Sequence, residues 1–152
     1  MLFRSGLASP SSVKFDAAAD RYIVSNINGA PLARDGNGFI SLISPQGQVV
    51  QLKWIEGGRK GAKLDAPKGM ALKDGKLYVA DIDAVRVFDA RTGAAVRTIA
   101  IPGAISLSDV AAAPDGRILV SDIGRDMATG AIWQIDAAGK ASVFVRGDHL
   151  LR

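Results

Sequence analysis

Apolar residues in this chain fall in runs of about five, rich in β-branched and aromatic side chains and bounded by Gly, Pro, Asp or Asn, without a sustained period of 3.6. That pattern predicts strands and little or no helix. The runs also repeat. Gly47, Gly93 and Gly139 are evenly spaced, and each closes a short polar turn between two apolar runs. Around each glycine the same phrase recurs: an inner run, a tight turn, a second run ending in Asn or Asp, a third run, the glycine turn and a fourth run. In the first copy, Pro10 to Phe15 leads through Asp16 to Asp20 into Tyr22-Ile23-Val24-Ser25-Asn26, then Phe39 to Ser44, then Val49 to Trp54. In the second, Pro67 to Leu72 leads through Asp74-Gly75 into Leu77-Tyr78-Val79-Ala80-Asp81, then Val85 to Asp89, then Val96 to Ile99. The third opens at Ser108-Asp109-Val110, turns at Asp115-Gly116, and runs through Ile118 to Asp122, Ile132 to Asp136 and Val143 to Val145. Asp-Gly between apolar runs is a strong hairpin signal, because glycine takes positive φ without steric cost.

Four short strands per repeat, at this period, is the pattern of a β-propeller blade. Strands such as Leu77-Tyr78-Val79-Ala80 are apolar on both sides, so one sheet cannot cover its own faces, and stacking blade on blade solves that problem. The expected fold is all-β: a partial β-propeller of three four-stranded antiparallel blades, at about 10–56, 66–101 and 107–146, belonging to one domain over 10–152. Met1 to Ser5 has no periodicity, and residues 1–9 read as a disordered tail or an assembly scar. Propellers close with about 4 to 8 blades. Three copies therefore leave two raw faces, and the expectation is a chain truncated at its C-terminus or closed by a second copy.

Composition narrows the classes. The chain has 152 residues, 48% hydrophobic and 22% charged, and no apolar run long enough to span a bilayer. With no cysteine it has no disulfide, zinc-thiolate site or thiol nucleophile, and it suits a soluble protein of either the periplasm or the cytoplasm. Nineteen basic against fifteen acidic residues could suggest an anionic partner. The basic cluster of Arg59, Lys60, Lys63 and Lys68 has no interleaved aromatics, which argues against nucleic acid. Neither nucleic acid nor membrane is an expected partner.

Alternating strand direction puts the A-B and C-D turns on one face and the B-C and D-A loops on the other. The first set is short and uniform. The second varies in length, and variable loops are where propellers bind. The candidate ligand-binding face therefore carries Asn26, Asn28, Lys68, Asp81, Asp83, Asp109, Asp122 and Arg125, with the long loop Gly29 to Asn37. Its expected occupant is a small molecule or a protein. Asp81, Asp109 and Asp122 are weak candidates for a metal, since carboxylates near the channel could hold Ca2+ or another divalent cation in the complete protein. The competing reading is structural, because Asp or Asn at a strand end bonds the backbone amides of the next turn. Other patterns carry less. His149 beside Asp148 reads as a surface histidine rather than part of a triad. Gly57 to Gly61 lacks the ending of a phosphate loop, and Trp54 and Trp133 read as fillers between blades.

The phrases Ala66-Pro67-Lys68-Gly69-Met70-Ala71-Leu72, Leu77-Tyr78-Val79-Ala80-Asp81 and Pro114-Asp115-Gly116-Arg117-Ile118-Leu119-Val120-Ser121-Asp122 resemble those of the SMP-30/gluconolactonase-like superfamily and the related NHL-repeat propellers. The resemblance covers roughly residues 10 to 146 and implies half of a six-bladed ring, a type that hosts more than one activity. It also implies one divalent cation in the channel, held by a Glu at the start of the first inner strand and by an Asn and an Asp at the starts of later ones. Carried over, those slots are Ser11, Lys68 and Ser108. None is a strong ligand for a hard cation, and the Lys68 ammonium opposes one. Two functions follow as expectations: a binding scaffold using the loop face, or part of a metal-dependent hydrolase of a lactone or ester with Asp81, Asp109 or Asp122 as base or ligand.

Overall fold

A computed structural model describes residues 4–125 and 129–147. Among the described residues there are twelve strands and no helix, arranged as three separate four-stranded sheets. The first sheet is β1 (Pro10–Asp16), β2 (Arg21–Asn26), β3 (Phe39–Ile43) and β4 (Val49–Glu56); the second is β5 (Pro67–Lys73), β6 (Lys76–Asp81), β7 (Ala84–Asp89) and β8 (Ala95–Ala100); the third is β9 (Leu107–Ala112), β10 (Ile118–Asp122), β11 (Ala131–Ile135) and β12 (Ala141–Arg146). Each sheet is an antiparallel meander in chain order. The expected partial propeller is therefore what forms, with β1, β5 and β9 innermost and β5 in contact with both other inner strands.

The turns form for the reason their sequences give. Gly47, Gly93 and Gly139 adopt φ of 85, 77 and 84°, and each donates its amide back to a carbonyl at or just past the end of the preceding strand, namely that of Ser44, Asp89 and Asp136. Any residue with a Cβ would be strained at these positions. Of the residues read as a tail, Ala8 and Ser9 are held in the first blade: their carbonyls accept the amides of Asn28 and Ile27.

Period-two alternation distributes the apolar side chains between two cores. Met70, Leu77, Val79 and Phe88 of the middle blade pack on Ile23, Ile40, Leu42 and Ile55 of the first. Ala71, Ala80, Val85 and Val87 face the other way and pack on Leu107, Val110, Val120 and Trp133 of the third. Consecutive residues of one strand thus serve different interfaces, which explains why the stretch Leu77 to Ala80 is apolar on both sides.

The inner strands approach most closely at Gly69. A Cβ there would overlap the Asp109 Cα and Oδ1 and lie 2.6 Å from the Ser108 carbonyl oxygen, and of these the Cα and the carbonyl are backbone that cannot turn aside. Gly69→Ala is expected to cost about 1–3 kcal/mol by forcing β5 and β9 apart. Urea denaturation measures it, and an unchanged midpoint would show that the inner strands are not in the contact described.

Candidate functional site

The loop face is built on one repeated device. The residue ending the second strand of each blade turns its side chain back to the segment entering that blade's first strand. Asn26 Oδ1 accepts the Ala8 amide at 3.0 Å; Asp81 accepts those of Asp65 and Ala66 at 2.9 and 2.7 Å; Asp122 accepts those of Ile105 and Ser106 at 3.0 and 2.8 Å. A third partner comes from the third strand at constant register, two residues after the one paired with the strand end. It is Ser41, whose hydroxyl accepts from Asn26 Nδ2, then the Arg86 guanidinium, which donates to Asp81, and the Trp133 indole, which donates to Asp122. Asn26, Asp81 and Asp122 are all buried, so their oxygens serve backbone and neighbours rather than solvent. The local signal for these partners was present: Arg86 is the only charge inside an otherwise apolar run.

Electrostatics follow from this bonding. Burial alone would raise the Asp122 carboxyl, but the amides of Ser106, Gly124 and Ile105 with the Trp133 indole outweigh it and hold it below the usual carboxylate range. Arg86 links Asp81 at 2.9 Å to Asp65 at 3.6 Å. Burial pushes the Lys68 ammonium below the ordinary lysine range, although Asp81 partly opposes this. Lys68 donates to the carbonyls of Pro31 and Ala66 at 2.6 and 3.0 Å.

The long loop over residues 27–38 leans onto the middle blade and is tied there by the Gly38 amide, which donates to the Leu64 carbonyl at 3.1 Å, and by side chains at three points. Besides the Lys68 bond to Pro31, the Gly36 amide donates to Asp65 at 2.9 Å, and Arg34 makes a two-pronged pair with Asp83 at 3.0 and 3.2 Å. Asn28 closes the loop on itself by donating to the Asn37 carbonyl. Lys68 and Asp83 are thus brought together by the loop, Asn26, Asp81 and Asp122 each belong to their own blade, and Asp109 and Arg125 stand exposed. Sequence reading missed Arg34, Asp65 and Arg86, because their partners lie across a blade boundary or on another strand. The Asp148-His149 pair lies outside the described residues.

The cation site implied by the resemblance does not fit these residues. Its slots are Ser11, Lys68 and Ser108, Lys68 brings an ammonium, and among the described residues no group of three or more acidic or histidine side chains is gathered. The molecule carries several grooves. One of about 850 Å³ opens on the opposite face between the turns 17–20 and 89–91, and another of about 520 Å³ lies on the outer rim beside Trp54 and Gly93.

Comparison with known proteins agrees with the architecture. Hydrazine synthase of Kuenenia stuttgartiensis superposes over 90% of this chain at 20% identity, with a TM-score of 0.64, and regucalcin from Agrobacterium tumefaciens, described as a calcium-binding protein, over 93% at 19% identity, with a TM-score of 0.54. The chain has a β-propeller fold. The likeness is one of fold, and the chain spans 37% and 44% of the length of those two proteins. No family model and no curated protein matches the sequence.

Two outcomes test the strand-end device. Asp81→Ala is expected to cost about 3–5 kcal/mol, because it strands the buried Arg86 guanidinium and two amides, and Asp81→Ala with Arg86→Met should recover part of the loss in chemical denaturation. For Asp122 the folded pKa lies below the unfolded one, so its contribution is present above about pH 4 and disappears as pH falls through the depressed folded value. Asp122→Asn should therefore flatten the acid limb of the stability curve, and an acid limb identical to wild type would refute the assignment.

Proposed function

We propose that this chain is a binding scaffold whose B-C and D-A loop face docks a protein or peptide partner. The observation that carries the reading is the loop over residues 27–38. Three cross-blade ties hold it against Lys68, Asp65 and Asp83, so the polar rim it forms is fixed before any partner arrives and little ordering entropy is lost on binding. Asp109 and Arg125 supply exposed charges of opposite sign on the same face. A partner suits this face better than a small molecule, since small ligands favour concave sites and a groove of about 850 Å³ opens on the opposite side.

The hydrolase reading has less support. Asp81 and Asp122 are spent on amides and on Arg86 or Trp133, which leaves neither poised as a base or ligand. With calcium or zinc added, hydrolysis of gluconolactone is expected to stay at the background rate; turnover that Asp109→Ala removes would reinstate that reading.

Selection of phage-displayed random peptides on the chain tests the scaffold. Selected peptides are expected to bind Asp109→Ala or Arg125→Ala at least about tenfold more weakly. Peptides indifferent to both but lost on Arg91→Ala would move the site to the large groove and overturn the proposal.

A further inference from the structure

Besides the loop ties, the sheet of the first blade holds the middle blade with three devices. The Ser25 hydroxyl donates to the Lys68 carbonyl at 2.6 Å. Arg21, whose guanidinium lies 4.8 Å from the Trp54 ring, donates to the Ala90 carbonyl at 2.9 Å. Ile23, Ile40 and Ile55 supply the apolar surface.

Counting back from the strand-end acceptor, the third blade carries the same set. Ser121 precedes Asp122 as Ser25 precedes Asn26, and each hydroxyl accepts an amide of its own inner strand, from Asp109 and Ser12 respectively. Arg117 stands where Arg21 stands, and its guanidinium lies 5.3 Å from the Phe144 ring. Ser121 pairs with Ile132, which pairs with Val145, as Ser25 pairs with Ile40 and Ile40 with Ile55. Phe144 and Trp54 each precede the last member of that row. Strand pairing, with the register irregularity opposite Phe144, places this set on the side away from the middle blade, where Ile132, Phe144 and Val145 are 38, 45 and 50% exposed. The middle blade has Ala80 and Lys76 at the Ser25 and Arg21 registers, so the set is not a generic feature of the repeat.

The first blade's open side supplies the complementary half. Val13, Phe15, Tyr22 and Ile43 occupy the registers at which Met70, Leu72, Leu77 and Phe88 pack onto the first blade. Val13 and Phe15 are 58 and 51% exposed. The registers of the two accepting carbonyls, Lys68 and Ala90, fall at Ser11 and Pro45.

We propose that the open side of the third blade docks on the open side of the first blade of a second copy, and that the reciprocal joint closes both chains into a six-bladed ring. Ser121 donates to the partner copy's Ser11 carbonyl and Arg117 to its Pro45 carbonyl. A second copy is the occupant because one chain carries both halves of a joint that it already makes internally, so two chains cover all four open sides with two identical contacts. The proposal rests on the blade geometry and not on the loop-face reading.

Sedimentation equilibrium with light scattering on the full chain tests it. The expected species is a closed dimer of twice 15.9 kDa. Ile132→Lys is expected to give a monomer with an unchanged far-UV spectrum, and Ser121→Ala, an alanine that the middle blade already accepts at this register, to weaken the dimer about tenfold. A monomer at all concentrations, open-ended polymers, or a dimer indifferent to both variants would each overturn the proposal, the first pointing to additional blades of another polypeptide segment as the natural occupant.

Discussion

Blade-on-blade packing is the constraint from which the rest follows. In β6, Leu77 and Val79 face one neighbour while Tyr78 and Ala80 face the other, so the sheet has no side it can offer to water. Burying an aliphatic side chain of this size contributes about 1.5–3 kcal/mol, and the middle blade places apolar side chains in both cores. A single blade would leave those groups exposed and could not offset the entropy of ordering its own chain. The repeat is therefore the folding unit only in company, and loops must be arranged so that neighbouring sheets can come face to face.

The strand-end acceptors solve that second problem. A blade's first strand is entered from a loop whose amides would otherwise be buried without partners, and Asp81 or Asp122 takes two of them at once. The carboxylate then needs compensation of its own, and the third strand provides it through Arg86 or Trp133. In the first blade Asn26 is neutral, and a hydroxyl at Ser41 suffices. A donor thus stands at this register where the strand-end residue is charged, whereas neutral Asn26 itself donates to the Ser41 hydroxyl.

This explains what was legible in the sequence. The period, the glycine turns and the strand runs are local, and local signals identified the three blades and their order. The face carrying Asn26, Asp81 and Asp122 was also readable, since strand direction fixes it. What those residues do was harder to read. Acidic residues converging on a channel look the same in sequence whether they await a cation or close a loop, and the difference lies in where the amides of Ala66 and Ser106 point. Likewise the Arg34 pair with Asp83 joins residues of different blades, which only the stacking of sheets brings together.

The same separation governs where new function can arise on this frame. Strand-end acceptors are committed by the backbone groups they satisfy, so altering them costs stability before it changes chemistry. The long loop of the first blade is under no such demand: Arg34 and Asp83 are exposed and contribute little to folding, while Lys68 is buried and anchors the loop through carbonyls that any sequence at residue 31 would provide. Side chains on that loop are accordingly free to vary around a fixed backbone path. The loop surfaces of this propeller thus lie over an internal bonding scheme that repeats from blade to blade.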